Sequence, residues 1–469
     1  MIRLGYHFRR LRNKVVNHDA LNVREDRRGN YRWAICALLF FATTINYIDR
    51  QILSLIKEYL DVQFGWSKAQ FGMVNALFQG AYGLGLLWFG WFVDRFGVRT
   101  GYALSMVGWS LAAMAHAAVN WLPAGARLQF GGRVVTYAAL AVGAFGLCRV
   151  LLGLAEAGNF PSAVKGVTQW FPKRERAFAT SLFNAGTNVG AIVAPAAVPL
   201  LSRQFGWQSS FLVAGLLGFV WLAFWLPLYD APERHRRVHP AELAFIRSDP
   251  PDAGTSARVP WRHLLARRAT WSFIIAKFLT DPVWWFFLIW LPDFFKETRQ
   301  LDIKHSWKHL VTIYVIVTVL SIFGGWVTGF MNQRGWSVTR SRKTGMFVFA
   351  LCVLPIYFVT RAGDWGAVLL IGLAGAAHQA WSANLYTTVS DMFPKKAVAS
   401  VIGMGGMAGS FGGMLFPLLT GVLLDHFKTQ GRITAGYAML FGFCAFAYLV
   451  AFGLNHLCAP KYEPLNLEA

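Results

Sequence analysis

Acidic side chains are scarce in this chain of 469 residues. Asp and Glu number 23 against 45 Lys and Arg, and charges of both signs make up only 14% of the sequence. An ordinary soluble domain carries about a quarter of its residues as charges, so a surface wetted all round is excluded. Cysteine is scarce too. Cys36, Cys148, Cys352, Cys444 and Cys458 all fall in or at the ends of apolar runs without CxxC spacing, which sets aside a disulfide scaffold and a thiolate metal site. No His or Cys spacing suits a metal, no glycine-rich loop runs into Lys and Ser or Thr, and no nucleophile elbow is present, so no enzyme or metal cofactor is expected. The first 32 residues lack an apolar core with a small-residue cleavage site and carry Arg9, Arg10, Arg12, Lys14, Arg27 and Arg28 instead. The first apolar run is therefore expected to act as its own insertion signal.

What is abundant is apolar: 55% of residues are hydrophobic and the mean hydropathy is +0.40. Runs of about 20 apolar residues, the length that crosses a hydrocarbon core, recur from Trp33 to His456. They predict an all-α membrane protein with twelve spans, at 33–56, 69–92, 100–119, 141–164, 177–200, 209–229, 270–292, 309–332, 344–361, 366–390, 398–424 and 433–456. The net charge of +22 follows these spans. Of the 45 Lys and Arg, 28 lie in the N-terminal tail and the loops after even-numbered spans, and twelve in the loops after odd-numbered ones. Positive residues mark the cytoplasmic side, so both termini are expected in the cytoplasm, with the basic tail on anionic lipid rather than nucleic acid.

The longest polar interruption, Asp230 to Arg268, contains Pro232, Pro240, Pro250, Pro251 and Pro260 and reads as an exposed linker. The expected organisation is a cytoplasmic tail (1–32), six helices (33–229), a linker (230–269), six helices (270–456) and a cytoplasmic tail (457–469). Internal similarity supports the division. Phe171-Pro172-Lys173 returns as Phe393-Pro394-Lys395, and at the same offset of 222 residues Gly190 matches Gly412 and Pro195 matches Pro417. A weaker echo links Gly90, Asp94, Arg95, Gly97 and Arg99 with Gly329, Asn332, Arg334 and Gly335.

Ionisable residues that no loop can take are costly, about 2.5–3.5 kcal/mol each at a helix centre, and mark function by default. Lys165 lies near a span end and can snorkel to the headgroups. The rest are Asp49, Arg50, Arg149, Glu156, Lys277 and Asp281. Arg149 and Glu156 stand two turns apart on one stripe of the fourth span, about 10.5 Å along the axis, so each needs a further partner, and Asp49 and Arg50 on the first span are available. A guanidinium offers a fork of donors matched to a carboxylate and stays charged. Arg50 and Arg149 are therefore expected to bind an anion. A carboxyl in such surroundings can take and release a proton, the expected role of Asp49 and Glu156. The competing reading is a fixed charge network that only holds the helices together.

Gly90-Trp-Phe-Val-Asp94-Arg95-Phe-Gly97-Val-Arg99 resembles the signature of the major facilitator superfamily. That resemblance implies two parallel six-helix repeats about a site near the bilayer midplane, with Asp94, Arg95 and Arg99 as a gate. Asn46-Tyr47-Ile48-Asp49-Arg50, Phe78-Gln-Gly-Ala-Tyr82, Arg149 and Glu156 are similar to the anion:cation symporter branch. There the matching acids serve proton coupling, and the matching tyrosines and arginine, here Tyr47, Tyr82 and Arg149, serve substrate. Glu156-Ala-Gly-Asn159-Phe-Pro161, Trp170-Phe-Pro-Lys173-Arg-Glu-Arg176 and Phe183-Asn184-Ala-Gly look most like bacterial hexuronate transporters. A Gln used by galactonate carriers is replaced at the nearest position by Thr187, with Asn184 beside it, which disfavours galactonate itself.

The second half offers different groups. The 222-residue offset places His378 opposite Glu156, able to bond a sugar hydroxyl, to titrate or simply to pack. Gln379, Trp381 and Asn384 share its span, and Asn384 has the donors and acceptors a polyol needs. Lys277 and Asp281 can pair at i, i+4, Pro282 interrupts the backbone ladder after them, and Trp284 and Trp285 could face a sugar ring or anchor in the interface. The expectation is a monomeric, multi-pass carrier of the bacterial inner membrane. It would move a small organic anion such as galacturonate or glucuronate together with protons, by alternating access. Another carboxylate (glucarate, galactonate or a phthalate-type acid), an uncoupled carrier and an exporter stay open.

Overall fold

The computed structural model describes residues 29–123, 125–130, 133–248, 261–301, 303–393 and 395–465. The helices, in chain order, are α1 Tyr31–Leu55, α2 Lys57–Phe64, α3 Lys68–Phe96, α4 Val98–Ala118, α5 Tyr137–Glu156, α6 Asn159–Trp170, α7 Lys173–Phe205, α8 Gln208–Leu228, α9 Pro240–Ile246, α10 Trp261–Leu265, α11 Arg268–Arg299, α12 Ile303–Gln333, α13 Val338–Val353, α14 Asp364–Met392, α15 Lys395–Thr429 and α16 Ile433–Cys458. A 3₁₀ stretch, Leu354–Arg361, prolongs α13. A two-stranded antiparallel hairpin, Leu128–Phe130 with Arg133–Val135, occupies the loop between α4 and α5. Leu128-Gln129-Phe130 alternates and Gly131-Gly132 suits a two-residue turn, but strands of three residues are too short to stand out between apolar spans.

Among the described residues ten helical stretches are long and apolar enough to cross a bilayer, against the twelve spans expected. The chain is an all-α, multi-pass membrane protein. The two expected spans outside that ten fall on α12, where the described apolar stretch is Trp307–Ser321, and on α14. His378, Gln379, Ser382, Asn384, Thr387 and Thr388 lower the hydropathy of α14. The outside of the bundle is the greasy side. On α5, Leu147, Leu151 and Leu154 are exposed while Arg149 and Glu156 are buried, the reverse of a soluble helix and the arrangement that lipid demands.

Helix pairs recur in order. α1 packs on α7 and α11 on α15; α3 packs on α5 and α12 on α14; α4 packs on α8 and α13 on α16. The helices before residue 230 meet those after 268 chiefly through α3 on α15 and α7 on α12. Glycine permits the closest approaches. A Cβ at Gly190 of α7 would sit 2.5 Å from the Thr44 carbonyl oxygen of α1, and one at Gly412 of α15 would sit 2.6 Å from the Phe278 carbonyl oxygen of α11. The two glycines matched at the 222-residue offset thus serve the same kind of contact. Pro394 lies outside the described residues.

At the end of the bundle away from Tyr31, charge ties the two sets of helices together. Asp293 on α11 accepts Lys57 at 3.0 Å and Lys68 at 2.6 Å, and also bonds the Tyr437 hydroxyl. Glu297 lies 3.1 Å from both Lys68 and Lys428. The Asp425 carboxylate accepts the backbone N–H groups of Lys68 and Ala69, at 2.8 and 2.6 Å, satisfying the open first turn of α3 beside the Ser67–Gln70 capping box. Burial opposes the charge on Lys57, but the carboxylates of Asp293 and Asp61 outweigh it and hold its pKa above the ordinary lysine value.

Breaking one partner of such a buried pair costs about 3–5 kcal/mol. Lys68→Gln or Asp293→Asn is therefore expected to increase several-fold the labelling, by a membrane-impermeant maleimide, of a cysteine placed at the buried Ser54. Lys68→Arg, which keeps a cation between Asp293 and Glu297, should retain protection. Unchanged labelling in all three would show that the network does not hold this end closed.

Candidate functional site

The site forms where α1, α3 and α5 meet beside α11. A Cβ at Gly153, between Arg149 and Glu156, would lie 2.5 Å from the Phe78 carbonyl oxygen, so α5 presses its backbone onto α3. The turn at Ala157 and Gly158 ends α5 directly after Glu156. Gly190 brings α7 equally close to α1, 2.7 Å from the Tyr47 Cβ. The charged side chains are held in the resulting layer with no route to headgroups: Asp49 and Glu156 are fully buried, Arg149 is 1% exposed and Arg50 7%.

Arg50 donates through Nε to Glu156 Oε2 at 2.7 Å. Its guanidinium carbon lies 4.4 Å from the Tyr82 ring centre, 5.4 Å from Tyr47, 5.6 Å from Phe78 and 5.4 Å from Trp285 of α11. Aromatic faces stabilise a desolvated cation without discharging it, so the guanidinium remains available to an anion. Arg149 lies 5.2 Å from the Phe78 ring, and its Nε and Nη1 donors are buried without a hydrogen-bond partner. Asp49 accepts the Trp109 indole N–H at 2.8 Å through Oδ2, while its Oδ1 has no partner, and neither does Glu156 Oε1. Gln79, fully buried on α3, has both amide atoms unpaired. Buried polar atoms are rarely left unpaired, and here several of them are concentrated in one layer.

Two arginines and two carboxylates sum to zero charge when both acids are ionised. Each proton taken up leaves one positive charge unmatched. The arrangement can therefore exchange an internal carboxylate for an external one when protonated.

A second cluster lies on α11 and α14. Lys277 pairs with Asp281 at 2.7 Å, 4.6 Å from the Tyr386 ring, and Asp281 Oδ2 sits where a Cβ at Gly409 would be, at 2.1 Å. His378 Nδ1 and the Tyr448 hydroxyl are 2.5 Å apart, and the imidazole is stacked on Trp284 with rings 5.4 Å apart and 5° from parallel. That geometry describes a packed histidine. Trp381 is fully buried, edge-on to Tyr448, with its indole nitrogen unpartnered. Asn384 accepts from Arg342 at 3.2 Å and donates to the Ala380 carbonyl at 2.9 Å, so much of its capacity is committed. Gln379 is half-buried.

Not every expected residue joins these clusters. Asn184 is exposed, and the Thr187 hydroxyl donates to its carbonyl at 2.8 Å, an internal helix contact. Of the expected gate, the Asp94 side chain lies outside those described; Arg95 is exposed over the Trp91 and Phe96 rings; Arg99 donates to the Leu226 carbonyl at 2.6 Å. The Trp109 contact with Asp49 and the ion-pair network of Lys57, Lys68 and Asp293 were not legible in the sequence. A tryptophan in an apolar span looks like core, and the other three sit at span ends where sequence assigns them to loops. Among the described residues no three His, Cys, Asp or Glu are grouped to hold a metal.

A multi-pass helical bundle with a buried charge cluster between its helices is an arrangement that membrane carriers use. The chain belongs to the Major Facilitator Superfamily, whose family model matches residues 39–417. It is 27% identical over 419 residues to the hexuronate transporter of Escherichia coli (strain K12), covering 88% of this chain and 90% of that one. It is also 27% identical over 411 residues to the probable galactarate/D-glucarate transporter of Bacillus subtilis (strain 168), covering 85% and 87%. The fold matches that of a bacterial homolog of the human lysosomal transporter Spinster, with TM-score 0.70, 17% identity and coverage of 92% and 98%. It likewise matches a D-xylose-proton symporter, with TM-score 0.67, 16% identity and coverage of 92% and 99%.

Removing one member of the Arg50–Glu156 pair strands the other in the interior. Arg50→Met should lower the stability of the detergent-solubilised protein by about 3–5 kcal/mol, and Arg50→Met with Glu156→Gln should recover most of the loss. Equal melting midpoints for the single and double variants would show that the pair is not an energetic unit.

Proposed function

We propose that this carrier is a proton-coupled symporter of a small organic anion, with a hexuronate such as galacturonate or glucuronate as substrate. The observation that carries the reading is Arg149, a buried guanidinium with two unpartnered donors beside the Arg50–Glu156 pair. In this reading Arg149 and Arg50 take the substrate carboxylate. Glu156 yields Arg50 when it takes a proton, Asp49 carries a proton alongside, and Tyr47 and Tyr82 wall the anion. The sugar-acid names of the relatives and the resemblance to the anion:cation symporter branch support the substrate class.

The coupling follows from charge. A substrate carboxylate entering the neutral cluster would leave one negative charge unmatched in a medium that penalises it, so anion and proton enter together. The six-helix halves 33–229 and 270–456 would rock about this layer as twelve spans, from a monomer in the bacterial inner membrane with both termini in the cytoplasm. Lys277 favours one second reading, an aldarate with a carboxylate at each end. The pairing of Lys277 with Asp281 gives that half its own exchangeable cation.

In proteoliposomes, Glu156→Gln should abolish accumulation driven by a pH gradient and leave counterflow measurable, and Arg149→Ala should abolish binding. Undiminished accumulation in Glu156→Gln would refute the assignment. Uptake of galacturonate, glucuronate, glucarate, galactonate and phthalate, each with and without the gradient, identifies the anion.

A further inference from the structure

We infer that Trp109 is a positioning residue for proton coupling: its indole N–H fixes Asp49 Oδ2 and leaves Oδ1 as the oxygen that takes the proton. This rests on the reading of Asp49 as a proton carrier. Asp49 is fully buried, and the indole hydrogen bond, 2.8 Å long, is the one that its side chain makes among the described residues. Its Oδ1 is buried and unpaired. Glu156, by contrast, is tied to Arg50 at 2.7 Å. The two acids of the cluster are thus held differently, one by a cation and one by a neutral donor.

The donor is itself rigidly placed. Trp109 is fully buried on α4, a helix that packs on α5 and α8. The Ser105 hydroxyl of α4 donates to the Ala155 carbonyl at 2.6 Å, and a Cβ at Gly108 would stand 3.2 Å from that of Ala155. These contacts fix α4 against the turn of α5 that carries Glu156. From there Trp109 reaches the acid of α1.

The chemistry suits the task. An indole N–H donates and cannot accept, and it neither gains nor loses a proton at working pH. It orients a carboxylate without competing for the proton. The charged groups facing Asp49 are Arg50 on its own helix and Arg149 and Glu156 on α5. His116, two turns along α4, has its Nδ1 2.8 Å from the Ala112 carbonyl and is stacked on Phe211. In the step itself a lone pair of Oδ1 takes a proton from hydronium on one side of the membrane: an O–H bond of hydronium breaks to leave water as the new O–H bond forms, and the carboxylate is discharged. The proton returns to water on the other side, and Oδ2 keeps its indole bond throughout.

The test is the pH profile of gradient-driven accumulation in proteoliposomes, with counterflow measured in parallel. Loss of a hydrogen bond to a charged acceptor is worth about 1.5–3 kcal/mol, on the order of one to two pH units. Trp109→Phe should move the midpoint of the profile toward higher pH by about that amount, because the ionised form loses its donor. The KM for counterflow should stay within about twofold, since no group that meets the anion is changed. A ring isostere of tryptophan with sulfur in place of the N–H, installed at position 109, should give the same shift. It serves as the test should Trp109→Phe fail to fold. Trp109→Gln, which keeps an N–H donor, should recover part of the shift.

A wild-type profile in the folded Trp109→Phe or isostere protein overturns the inference. So does a shift that Trp109→Gln and the isostere share equally. Failure of the underlying reading looks different: wild-type protein would accumulate nothing in response to the gradient, or Asp49→Asn would accumulate normally.

Discussion

Ionised groups in the interior of a membrane protein must find opposite charge or a dense set of hydrogen bonds, and the Arg50–Glu156 pair meets that demand in the layer between α1 and α5. At 2.7 Å the pair joins α1 to α5. Around it stand Tyr82, Tyr47, Phe78 and Trp285, whose ring faces tolerate a cation that water cannot reach. The glycines are the other half of the same constraint. Gly153 and Gly190 let α5 and α7 approach their neighbours at the backbone, and without those approaches the side chains of the layer would not meet.

The same physics operates at the far end with a different result. There Asp293 receives two lysines and a tyrosine hydroxyl, and Asp425 caps α3 from across the bundle. Asp293, the two lysines and Asp425 are all paired there, and the network ties the helices together. The central layer is left with free donors on Arg149 and a free oxygen on each carboxylate.

Much of this was legible in the sequence, and the limits have physical causes. The apolar runs announced ten of the twelve expected spans, because lipid leaves few alternatives to a helix. Asp49, Arg50, Arg149 and Glu156 stood out because nothing but function or pairing justifies them there, and the structure brings them into one layer. Three-dimensional pairing was not legible. Asp49 turns to Trp109, while Arg50 takes Glu156, and no spacing rule distinguishes the two choices. Asn184 and Thr187 were selected by chain position relative to a family pattern, and helix rotation leaves Asn184 exposed and the Thr187 hydroxyl bonded within its own helix. The latch lysines were invisible because residues at a span end read equally well as loop.

Proton movement during anion uptake tests the central claim most directly. Purified protein in proteoliposomes is placed in a weakly buffered medium with no imposed gradient, and the organic anion is added outside. Uptake of the anion should be accompanied by alkalinisation of the medium, with at least one proton entering per anion and both fluxes lost together in Glu156→Gln. Anion uptake at the wild-type rate with no change in external pH would contradict it.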